Sequence, residues 1–77
     1  MNLAKEIQKR CKIQPGMLVT STAGTTVHKV ALVIGLSPGC KFDRDYEGAE
    51  EHIFYICQPL NNTPEFCDYA CNMEILS

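Results

Sequence analysis

The chain has 77 residues, of which 45% are hydrophobic and 21% charged, and its formal net charge is −2. That mix describes one globular domain rather than a disordered chain, and it lacks the basic excess of a duplex-binding protein. A domain this small buries only about 60% of the surface its unfolded chain exposes, so its core is limited.

Charge is unevenly spread. Lys5, Lys9, Arg10, Lys12 and Lys29 lie early, whereas from Asp43 onward Arg44 stands alone among eight acids. Two solvated faces account for this pattern. The charges at Lys5, Glu6, Lys9, Arg10 and Lys12 leave no apolar stretch for a secretion signal near the start. The longest apolar run, residues 30–36, is too short to span a bilayer. The expected setting is a cytoplasmic, reducing one, with no membrane contact. There the odd set of five cysteines (Cys11, Cys40, Cys57, Cys67 and Cys71) reads as free thiols packed like small apolar residues.

In chain order, residues 2–11 read as an amphipathic helix. Leu3, Ile7 and Cys11 form one stripe with Ala4 beside it, and Asn2 suits the N-cap. Pro15-Gly16 punctuates, and residues 17–22 read as a first strand. A loop at 23–26 leads to the strongest strand, residues 27–36. Val30, Leu32, Ile34 and Leu36 fall on one face and Ala31, Val33 and Gly35 on the other. Both faces are apolar, so both are expected to be covered, the small-residue face by the helix. Residues 37–51 are irregular and polar. Further strands are expected at 52–58, 66–70 and 74–76, with turns at 61–64 and 71–73. The division is one domain, residues 1–12 as helix and 13–77 as β-structure.

Several stretches carry a resemblance. Lys12-Ile13-Gln14-Pro15-Gly16-Met17-Leu18-Val19, Val30-Ala31-Leu32-Val33-Ile34-Gly35, Phe54-Tyr55-Ile56-Cys57 and Cys71-Asn72-Met73-Glu74-Ile75-Leu76 together resemble the strand pattern of the Src-homology-3-like barrel. Ala31 stands where that pattern often has glycine. The resemblance implies a mainly β fold: a small five-stranded Src-homology-3-like barrel with one N-terminal α-helix. The format is also similar to small uncharacterised proteins of tailed bacteriophages. Peptide-binding members of the fold class line their groove with aromatics that include Trp, and this chain has none.

Candidate chemistry is sparse. Cys67 and Cys71, with His52 and Cys57, were they to converge, would offer zinc ligands, but only one close cysteine pair exists. No cysteine has a flanking base signature, and His28 reads as a loop edge. Asp43, Asp45, Glu47, Glu50 and Glu51 superficially resemble a calcium loop, yet the pattern reads as lacking the glycine at its sixth position and a bidentate acid at its twelfth; a solvated acidic loop is expected. The expectation is therefore no enzyme, no metal and no cofactor. A protein partner is expected at Phe42, Tyr46, Tyr55 and Tyr69 together with Asp43, Asp45 and Glu47, while Phe54 and Phe66 join the core. The alternative is a small-ligand or nucleic-acid site using residues 20–26 and the early basic residues, although the net charge argues against nucleic acid. A homo-oligomer through the helix stripe is a further possibility.

Overall fold

The computed structural model describes residues 2–21, 29–61 and 63–76. Helix α1 spans Ala4–Gln8, shorter than the expected 2–11. Its end tightens: Arg10 N–H bonds the Ile7 carbonyl and Cys11 N–H the Gln8 carbonyl. These are three-residue steps of 3-10 type. Gln14 Nε2 then donates to the carbonyls of Gln8 (2.7 Å) and Cys11 (2.8 Å), occupying acceptors that a helix end leaves open. At the start, Leu3 takes the cap position. Asn2, one residue further out, accepts from Ala4 N–H at 3.0 Å. Of the expected stripe, Ile7 and Cys11 are buried at 0% and 6% exposure, with Ala4 beside them at 1%, while Leu3 is only partly buried and Leu3 and Cys11 flank the helix.

Five strands follow: β1 (Leu18–Ser21), β2 (Lys29–Leu36), β3 (Phe54–Pro59), β4 (Phe66–Tyr69) and β5 (Met73–Ile75). Short 3-10 turns at Ala49–His52 and Ala70–Asn72 precede β3 and β5. His52 therefore lies in a turn and not in the third strand, where the alternation placed it. The expected loop at 23–26, His28, Asn62 and most of the 20–26 ligand candidate lie outside the described residues.

The strands form one antiparallel sheet in the order β4-β3-β2-β1-β5. Its two edges, β4 and β5, are consecutive in the chain and joined only by Ala70–Asn72. In a flat sheet four interstrand steps would hold them about 19 Å apart. A 3-10 turn advances only about 2 Å per residue, so the sheet must curl. At that corner Ser21 Oγ donates to Asp68 Oδ2 at 2.5 Å, linking β1 to β4 through side chains. Among the described residues no backbone ladder joins β4 to β5, and the sheet is open.

One face of the curled sheet holds the core. Val19, Ala31, Val33, Tyr55, Cys57 and Met73 are buried there in a single cluster with Ala4, Ile7, Ile13 and Ile53. Phe54 and Phe66, expected in the core, are only partly buried against it. Ala31 and Val33 of the small-residue face of β2 thus turn inward, but the large-residue face is not covered: Val30, Leu32 and Ile34 are 38%, 37% and 47% exposed. The expectation that both faces are buried fails because α1 is the available cover and lies on the other side. Leu36 leaves the row of Val30, Leu32 and Ile34 through a β-bulge. Val33 faces Cys57 and Gly35 faces Ile56, so Ile34 is the extra residue. Beyond it the alternation inverts, and Leu36 pairs with the buried Tyr55.

Candidate interaction surface

The 37–52 segment, the least regular by pattern, is anchored at two points. Asn2 supplies the first: its Oδ1 accepts from Phe42 N–H at 3.0 Å and its Nδ2 donates to the Cys40 carbonyl at 3.1 Å. Leu3 N–H adds a bond to the Phe42 carbonyl. Arg10 supplies the second. Its guanidinium reaches both oxygens of Asp45, at 2.8 and 2.7 Å, and Glu50 at 3.3 Å. Between these anchors Gly48 adopts φ 85°, a left-handed conformation that side chains other than glycine rarely tolerate. Ala49 next to it is fully buried. The acidic loop is therefore solvated, as expected, with Asp43, Asp45, Glu47 and Glu51 exposed, and it is also tied to the N-terminal segment through Asn2 and Arg10.

The Arg10 hydrogen bond, opposed by slight desolvation, holds the Asp45 carboxyl below its ordinary value, and the same bond raises the Arg10 guanidinium. Both side chains are more than 40% exposed, so the pair orients the loop more than it stabilises the fold.

The expected contact residues do not form one patch. Phe42 is half-buried and Tyr46 is 46% exposed, their rings 6.4 Å apart. His52 continues the row, 6.3 Å from Tyr46. Asp43 and Glu47 are exposed on the same loop. Tyr69 is also 46% exposed, but it stacks on Phe54 at 4.7 Å, on the β3–β4 pair. No ring contact among the described residues connects it to Tyr46. Tyr55 is not at the surface at all. It is 0% exposed, and its hydroxyl donates to the Ile13 carbonyl at 2.6 Å. The reason is phase: Tyr55, Cys57 and Pro59 alternate inward on β3, which is paired with a strand on each side. Burial raises the Tyr55 phenol accordingly.

Arg10, Asn2 and His52 are the members of this surface that patterning missed. Asn2 and Arg10 meet partners 35 to 40 residues away, which no local signal announces, whereas His52 contacts the nearby Tyr46 and was missed because it falls in a turn instead of the strand.

Counted from Asp43, Gly48 does stand at the sixth position of a calcium-type loop. Both oxygens of Asp45 are nevertheless engaged by Arg10. Among the described residues no three His, Cys, Asp or Glu side chains converge as a metal set. Cys11, Cys40 and Cys57 are buried free thiols, while Cys67 and Cys71 are exposed. Burial first, and then the nearby Asp68 carboxylate and Cys67, push the Cys57 thiol up to about 11. A shallow cleft of about 170 Å³ lies between Arg10, Lys12, Glu50, Glu51 and Cys71. Its lining mixes both charge signs and selects neither anions nor cations. No described helix is long and apolar enough to cross a membrane. Comparison with protein-family models, with curated proteins and with solved structures finds no match to this chain.

Proposed function

We propose that this chain is a non-enzymatic binding module, a small cytoplasmic accessory protein of the kind found in tailed phages, that works by contact with another protein. The docking surface is the row Phe42, Tyr46 and His52, with Asp43 and Glu47 at its rim. The observation that carries this reading is the row itself: three aromatic rings, spaced 6.4 and 6.3 Å, on a loop anchored at both ends. Exposed aromatic rings supply contact area at low entropic cost, and a loop already held in place loses little freedom on binding. The acidic rim favours a partner segment carrying Lys or Arg. We also read the curled sheet as a Src-homology-3-like barrel. Support comes from β5 returning beside β1 after a 3-10 turn, and from the Ser21–Asp68 contact across the open corner.

The test compares cross-linked capture from the native cell by the wild-type chain, Tyr46→Ala and Tyr69→Ala. Tyr46 is exposed, so the fold should survive its loss. Tyr46→Ala is expected to lose the captured partner and Tyr69→Ala to keep it. Capture undiminished by Tyr46→Ala would refute the assignment.

A further inference from the structure

The outer face of the sheet carries a second surface, independent of the aromatic row. Register places its members side by side. Leu18 faces Leu32 across β1 and β2, and Leu76 N–H bonds the Leu18 carbonyl at the end of β5. Leu60 N–H bonds the Val30 carbonyl at the end of β3. Ile34, the unpaired residue of the bulge, continues the row of Val30 and Leu32 on this face, beside Gly35 that pairs with Ile56. Same-face neighbours on paired strands lie about 5 Å apart, so these side chains form one continuous apolar area. Val30, Leu32, Ile34, Leu60 and Leu76 are between 37% and 58% exposed.

We propose that this face is where two copies of the chain meet about a two-fold axis. Three observations select a second copy. The first is area. A standard interface takes roughly 800 Å² from each partner, about a sixth of the chain's 5009 Å², and five adjoining aliphatic residues at 37–58% exposure supply its centre. The second is charge. A two-fold axis sets each residue near its own copy or that of a neighbour, so like charges in the centre would repel. The register places the uncharged Thr20 and Gln58 among the aliphatics, with Glu74 only at the β5 edge. The third is the chain's own cover. Helix α1, the element able to shield a second apolar face, is already buried on the opposite side with Ala4 and Ile7 in the core. Two such faces would stack as packed sheets about 10 Å apart.

The experiment is sedimentation equilibrium of the full chain from about 5 µM to 1 mM, a range that covers micromolar to millimolar dissociation constants. The wild type is expected to move from 8.6 kDa towards twice that mass as concentration rises. Leu32→Lys sits at an exposed position, so it should keep its melting temperature and remain monomeric throughout. If Leu32→Lys disturbs folding, Ile34→Thr decides: it should weaken the dimer at least fivefold. A wild-type chain that stays monomeric at 1 mM overturns the proposal. So does a dimer of undiminished strength in the folded variants. Tyr46→Ala should dimerise like the wild type, which separates this face from the aromatic row.

Discussion

Asp68 sits at the corner where the curled sheet brings β4 near β1. It is 3% exposed and accepts from three donors: Ser21 Oγ at 2.5 Å, Tyr69 N–H at 2.7 Å and Asn72 Nδ2 at 2.9 Å. Those donors belong to β1, to β4 itself and to the turn that carries the chain across to β5. Asp68→Ala withdraws the acceptor from all three. Hydrogen bonds to charged groups contribute about 1.5–3 kcal/mol each, but desolvation of the buried carboxylate offsets part of that, so a net loss of about 3 kcal/mol is expected. In a domain whose whole stability is about 4–12 kcal/mol, this should lower the melting temperature by about 12–24 °C. Asp68→Asn separates charge from geometry. Its amide oxygen can keep the two Oδ1 donors while its NH₂ donates to Ser21 Oγ, so the loss should stay near 1 kcal/mol. Thermal and urea melts followed by circular dichroism read both variants. A cycle with Ser21→Ala should return a coupling of about 1–2 kcal/mol. If Asp68→Ala melts within about 2 °C of the wild type, the corner is not held by this carboxylate and the argument is wrong.

Two further outcomes follow from the core. Ile7→Asp places a carboxyl in a fully buried site, at a cost of several kcal/mol, and should leave the chain unfolded or barely folded at 25 °C; an unchanged thermal melt would mean that α1 is not part of the core. The second outcome is alkaline. The Cys57 thiol titrates near 11 in the folded chain against an ordinary 9.0, so its contribution is complete below pH 9 and is lost as pH rises towards 11. Two units correspond to at most about 3 kcal/mol. Cys57→Ala should therefore show a flatter fall in stability between pH 9 and 11, whatever its baseline at pH 7. A slope equal to that of the wild type would contradict the assignment.

The elements were legible where local pattern decides them. The stripe of Leu3, Ile7 and Cys11 marked a buried helix face, and the alternations around β1 to β4 marked strands within a few residues. The errors have a common physical origin, since each depends on a contact that a single segment cannot reveal. The helix ends early because Gln14 folds back onto the Gln8 and Cys11 carbonyls. Leu36 changes face because one bulge at Ile34 inverts the alternation. The outer face of β2 stays open because apolarity on two sides states a demand for cover, while the number of elements available decides whether it is met. Tyr55 was misplaced by residue type: a phenol reads as a surface group, yet a single carbonyl within reach, that of Ile13, suffices to bury it.

The candidate site was legible only in part, and the missing part changes what the loop is. As composition, Asp43, Asp45, Glu47, Glu50 and Glu51 read as a solvated acidic loop and nothing more. In the fold, Arg10 binds the middle of that run in bidentate geometry, and Asn2 fixes its start through two backbone groups. Neither contact stabilises the domain by much, because both lie near solvent. Their effect is on order. Fixing a backbone residue costs about 1–2 kcal/mol of conformational entropy, and a loop that has already lost that freedom in folding does not lose it again on meeting a partner. Phe42, Tyr46 and His52 gain from this directly, since they lie between or beside the anchors. Tyr69 and the β2 face are exposed without any comparable loop anchoring. The same degree of exposure therefore carries different meaning in the two places. On a pinned loop with a charged rim it fits the proposed partner of different composition, and on an aliphatic sheet face with Glu74 only at its edge it fits the proposed second copy.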